Sequence, residues 1–175
     1  FANTETIEAM TDEALDALKH GEVQQARHVL ALLASEIVIT VTNIPLASYP
    51  AAVKAVVPLI DQGKIEEAKA ALQSALSTLV EERSVLPLPV LRAKLLLKRA
   101  EPLVEDGQRS EASNERLETL LNEARQQLEM AELLGYGKRK DFEPLYAELK
   151  KIKEKTGGGG FGKGWLDEVK AKLSR

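Results

Sequence analysis

Apolar residues recur at helical spacing through most of this chain. Ile7, Met10, Ala14, Leu15 and Leu18 fall three or four residues apart, the period of one helix face, and predict a first helix ending near Lys19. Gly21 follows where a helix end needs a left-handed residue. Val23, Ala26, Val29, Leu30 and Leu33 continue the pattern on a second helix, so the two form a hairpin. The period then changes. Residues 37–42, Ile-Val-Ile-Thr-Val-Thr, are β-branched throughout, and Pro45 follows, which predicts a short strand. Ser48 and Pro50 open a third helix, in which Pro58 is expected to introduce a kink or a new turn. Helices are expected at about 64–80, 90–106 and 109–134. Gly135-Tyr136-Gly137 is a break, and a helix follows at about 139–155 with Phe142, Leu145, Leu149 and Ile152 on one face. A terminal helix carries Trp165, Leu166, Val169 and Leu173.

The pattern repeats. The segment from Pro58 through Asp61-Gln62-Gly63-Lys64 to Ala68 reappears 44 residues later as Pro102 through Glu105-Asp106-Gly107-Gln108 to Ala112, and Leu18-Lys19-His20-Gly21 is an earlier copy without the proline. Asn43-Ile44-Pro45-Leu46 returns 42 residues later as Val85-Leu86-Pro87-Leu88. A period in the forties is the mark of stacked helical hairpins, which bind partners more often than they catalyse. Residues 79–86 occupy the strand's place in the second copy, but Glu81, Glu82 and Arg83 make them more polar. They are expected either to pair with the strand as a two-stranded ribbon or to end the preceding helix. The expected fold is mainly α: antiparallel hairpins in pseudo-repeats of about 42–44 residues with a possible short β element. Its divisions are a helical repeat domain over 1–135, a basic amphipathic helix packed on it over 136–156, a glycine-rich link over 157–164 and a terminal helix over 165–175.

Composition narrows the function. Aromatics are only 4%, so the core is built from Leu, Val, Ile and Ala. There is no cysteine, which removes disulfides, thiolate metal sites and cysteine nucleophiles together. No apolar run reaches the 18 or so residues of a membrane span. The net charge of −3 divides unevenly: residues 138–175 hold 11 basic and 6 acidic side chains, a balance of +5, leaving −8 for residues 1–137. The tail's helical apolar spacing points to its folding back on the acidic body. An acidic body is a poor nucleic-acid partner.

Candidate chemistry is sparse. Gly157 to Lys163 reads as the first seven positions of a phosphate-binding loop, but Gly164 stands where the loop needs Ser or Thr, and a Lys-rich helix precedes it instead of a buried strand. His20 and His28 lie on either side of a helix-ending glycine, with no simple geometry that joins them on one metal. The acidic pairs Glu66-Glu67, Glu81-Glu82 and Glu105-Asp106 stand beside Lys and Arg, the pattern of solvated helix faces. No residue is assigned a catalytic, cofactor-binding or metal role, and no cofactor is expected.

Leu18-Lys19-His20-Gly21, Ala26, Leu30, the run 37–42, Ile44-Pro45-Leu46, Asp61-Gln62-Gly63-Lys64, Glu67-Ala68 and Leu72 follow one another in an order that resembles the YfdX family of bacterial helical proteins. The resemblance covers 18–80. It implies a mainly helical fold with a small β element, a non-enzymatic role associated with stress, export to the periplasm, and protein-binding or chaperone-like action. A chain starting at Phe1 is consistent with a removed signal peptide. The implied partners are proteins or a small ligand, with a homo-oligomer possible because an apolar face such as that of Trp165 seeks cover. The alternative is a helical-repeat adaptor of the tetratricopeptide or HEAT type.

Overall fold

The computed structural model describes residues 3–173. The fold is mainly helical, with helices α1 (Thr4–Lys19), α2 (Val23–Leu33), α3 (Tyr49–Lys54), α4 (Val57–Asp61), α5 (Ile65–Leu76), α6 (Leu88–Glu105), α7 (Glu111–Leu133), α8 (Arg139–Gly157) and α9 (Asp167–Lys172). Strands β1 (Glu36–Asn43) and β2 (Val80–Pro87) pair as a two-stranded ribbon. Of the two outcomes expected for residues 79–86, the ribbon is the one observed. The chain divides into two compact units: residues 1–37 with 86–175, and residues 38–85. The segment expected as one domain over 1–135 therefore holds an inserted unit. Phe1, Ser174 and Arg175, included in the expected end segments, lie outside the described residues.

The first unit is a set of helical hairpins. Asn3 caps α1, accepting from the Thr6 N–H at 2.8 Å. The helix ends at Gly21, φ +78°, where the Glu22 N–H reaches the Ala17 carbonyl at 2.8 Å and the Gly21 N–H reaches that of Leu18. Only a residue with no Cβ adopts this turn without strain. α2 then packs back along α1 through Ala14, Ala17, Ala26 and Val29. Alanine contacts let the two backbones approach closely.

The larger core lies between α6, α7, α8 and α9. Ala93, Leu97, Ala100 and Val104 of α6 meet Leu117, Leu121, Ala124 and Leu128 of α7. Phe142, Leu145, Leu149 and Ile152 of α8 are all buried there, as their spacing predicts. Leu166 and Val169 seal the end of this core, and Trp165 packs against it half-buried. Trp165 thus finds its cover within the chain. It precedes the terminal helix, which runs only over Asp167–Lys172.

The basic tail folds onto acidic helices. Lys153 of α8 meets Glu118 of α7 at 2.9 Å, and Lys170 of α9 pairs with Glu101 of α6. The glycine-rich segment is a fitted strap. The Gly162 N–H donates to the Val104 carbonyl, and Arg109 donates to the carbonyls of Leu103, Asp106 and Gly160 at 2.8, 2.8 and 2.6 Å. A Cβ on Gly162 would meet the Trp165 ring at 2.2 Å, so this glycine is required by close approach, not by freedom.

The second unit holds the blade of the ribbon with α3, α4 and α5. Its glycine turn copies the first: Gly63 has φ +71°, and the Lys64 N–H reaches the Leu59 carbonyl at 2.9 Å. The third copy departs. Gly107 lacks the positive φ, and the Phe161 ring covers it. The repeat is therefore conformational for two copies and only sequential for the third. Pro58 and Pro102 diverge in the same way: Pro58 starts the new helix α4, whereas Pro102 lies inside an unbroken α6. α5 stops at Leu76, four residues short of the expected end. The Ser77 and Thr78 hydroxyls there bond the carbonyls of Ser74 and Ala75 and compete with the helix ladder.

Candidate functional site

Unit 38–85 buries little of its own apolar surface. Its helices α3 and α4 have six and five residues, too short to present more than one turn or so each. Within it only Val56, Ala68 and Ala75 are buried hydrophobics. Leu46 is 82% exposed, Val57 55%, Ile60 53% and Leu76 55%, and Ile65 and Leu72 are exposed as well. Full burial of a Val, Leu or Ile is worth about 1.5–3 kcal/mol, so each of these at half exposure leaves roughly 1 kcal/mol unrealised. Both faces of the ribbon add to the surface through Val38, Ile39, Val41, Val80 and Val85. Scattered exposed apolar side chains are ordinary, but a concentration of this size in one unit marks an interaction surface.

The residues weighed for chemistry are dispersed. His20 is the C-cap of α1, its Nδ1 2.9 Å from the Asp16 carbonyl, and His28 is exposed on α2. Among the described residues, no group of three or more His, Asp and Glu side chains is arranged to hold a metal. In the glycine-rich segment, the N–H groups of Gly159, Gly160 and Gly162 already bond the carbonyls of Thr156, Lys155 and Val104. A phosphate cradle needs such groups free and convergent. Glu66 pairs with Lys69 at 2.8 Å, as its spacing predicts.

Perturbed protonation follows surface pairing. The Lys153 ammonium, hydrogen-bonded to Glu118, holds that carboxyl below its ordinary range, and Lys172 does the same to Glu168. Glu101 raises Lys170. Burial is the first cause raising Tyr146, whose hydroxyl also donates to Glu132 at 2.8 Å. Burial likewise raises Tyr136, whose hydroxyl accepts from the Ser35 N–H at 2.9 Å. A general acid needs a carboxyl raised toward neutrality, and both shifted carboxyls move the other way.

The first unit carries one further feature. A cleft of about 560 Å³ is lined by Asn3, Thr4, Arg92, Gln126, Gln127 and Met130 among others. Gln127 Oε1 is buried there with no hydrogen-bond partner among the described residues. No spacing rule marks such a cleft in advance, because its residues come from three helices.

A helical body, an inserted ribbon-and-helix unit and an uncovered aliphatic surface define the class. Residues 1–85 match the family model described as YfdX protein, which is the resemblance seen over 18–80 extended to both sides. The segment 1–85 is YfdX-like, and residues 86–173 lie beyond it. No curated protein and no solved structure matches the chain. Among the described residues no helix is long and apolar enough to cross a membrane.

Proposed function

We propose that this is a non-enzymatic, YfdX-like binding protein that holds apolar segments of other polypeptides, a chaperone-like action suited to stress in the periplasm. The observation that carries this reading is the aliphatic surface of α3, α4 and α5, formed by Val57, Ile60, Ile65, Leu72 and Leu76. An unfolded chain offers the same chemistry, and an aliphatic face with few fixed polar groups binds without demanding one sequence. The absence of any convergent acid, base or metal set among the described residues is in keeping with this role. The ribbon disfavours an all-helical repeat adaptor, which has no strand to insert.

The test is suppression of aggregation of a thermally unfolding model protein by the full chain. The pair of substitutions Ile60→Lys and Leu76→Lys changes two exposed residues. It is expected to weaken protection at least ten-fold while leaving the far-UV circular dichroism unchanged. Protection that survives both changes contradicts the reading. Location is tested by fractionation of cells expressing the gene from its own start: recovery in the cytoplasm only would contradict a periplasmic role.

A further inference from the structure

We propose that two copies of this chain associate through the free edge of β1, joining two ribbons into one four-stranded antiparallel sheet. A two-stranded ribbon has two open edges, and open edges accept another strand unless they are blocked. The edges here differ. Residues 37–42 of β1 carry no charge, no proline and no glycine. β2 carries Glu81, Glu82 and Arg83. Pairing of β2 with itself about a two-fold axis brings like charges together, which is unfavourable, whereas β1 against β1 meets no such cost.

The register makes this specific. The strands have equal lengths, and the Leu88 N–H donates to the Ser35 carbonyl at 2.8 Å just beyond their ends. Glu36 therefore stands opposite Pro87, and Thr40 opposite Arg83. The direction of the Ser35 carbonyl sets the phase of the ladder. Residues 37, 39 and 41 turn their backbone groups toward β2, and Val38, Thr40 and Thr42 turn theirs outward. A two-fold axis at Thr40 pairs Thr40 with its own copy, Val38 with Thr42, and Ile39 with Val41. All are β-branched, among the best cross-strand neighbours. A second copy supplies the complement without any further condition, because an isologous contact needs only a self-matching sequence. The edge is eight residues, about 27 Å long, which places the contact at the low end of interface sizes. The dimer is accordingly reversible and concentration-dependent, with a dissociation constant in the micromolar range. It leaves the α3–α5 surface open and stands whether or not that surface binds clients.

Sedimentation velocity of the full chain over a dilution series tests this. A monomer–dimer equilibrium is expected. Thr40→Pro removes an outward N–H that the ribbon itself does not use, and Thr40→Lys places two like charges on the axis. Each should weaken association at least ten-fold. The chain has no cysteine, so Thr40→Cys gives an independent reading: hydrogen-bonded antiparallel neighbours lie about 5.5 Å apart, within disulfide reach, and an oxidised dimer should form. The Arg83→Cys control should stay monomeric. If the proline or lysine variant loses its circular dichroism signal, the cysteine pair decides. A chain that stays monomeric up to about 1 mM, a dimer unaffected by both Thr40 variants, or crosslinking at position 83 in place of 40 overturns the proposal.

Discussion

Gly21 and Gly107 hold equivalent places in the repeat, yet substitution should affect them by different mechanisms. At Gly21 φ is +78° and nothing lies within 4 Å of an added Cβ, so the cost is conformational alone. A left-handed L-residue costs about 1–2 kcal/mol, and the stiffer unfolded chain of an alanine variant returns about 0.4–1 kcal/mol. Gly21→Ala should therefore lose about 0.5–1 kcal/mol, a fall in Tm of roughly 1–4 °C for a chain of this length. Asparagine tolerates the left-handed region, so Gly21→Asn should lose less than Gly21→Ala, although it is larger. At Gly107 no positive φ is required, but an added Cβ would stand 2.8 Å from the Phe161 ring. There the order should follow size, with Gly107→Asn worse than Gly107→Ala. Thermal melts followed by circular dichroism at 222 nm decide the matter. If alanine is milder than asparagine at position 21, the left-handed cap is not what ends α1 and the hairpin reading fails.

Leu97 and Leu128 are completely buried between α6 and α7, and each change to alanine should cost about 2–5 kcal/mol in urea unfolding. Tyr136→Phe leaves the partly buried Ser35 N–H without its partner and should cost about 1–3 kcal/mol by the same measurement. Stability should fall at both ends of the pH range. The Glu118 and Glu168 carboxyls are lowered in the fold, so their contribution is complete above the unfolded value of 4.5 and is lost as the pH drops through the folded value. Lys170, Tyr136 and Tyr146 are raised, so theirs is complete below the unfolded values of 10.5 and 10.0 and disappears as the pH rises beyond them. A Tm that is flat from pH 3 to pH 11 would refute these assignments.

Local signals made the first half of the fold readable. Gly21 and Gly63 each state a helix end, because few other residues fit there, and the run 37–42 states a strand through its branching. Where tertiary contacts decide, the sequence was silent. Pro58 and Pro102 sit in matching sequences, but the contact of Ala93, Leu97 and Ala100 with α7 carries α6 through its proline, whereas the short α3 and α4 lack such a partner surface. The glycines of 157–164 read as a link by composition, yet Gly160 and Gly162 are fixed by close contact with Lys155 and Trp165, which no local pattern encodes. The candidate surface was hidden for a related reason: Val57, Ile60, Ile65 and Leu72 show the same helical spacing as a core face, and only the fold reveals that nothing covers them.

The central claim is that the aliphatic surface of residues 38–85 receives apolar polypeptide. Methyl NMR of the full chain, labelled at Ile, Leu and Val and titrated with a permanently unfolded model protein, tests it directly. The account predicts shifts concentrated at Val57, Ile60, Ile65, Leu72 and Leu76, with Leu97 and Leu128 unmoved. Shifts confined to the cleft around Met130, or none at saturating client, would contradict it.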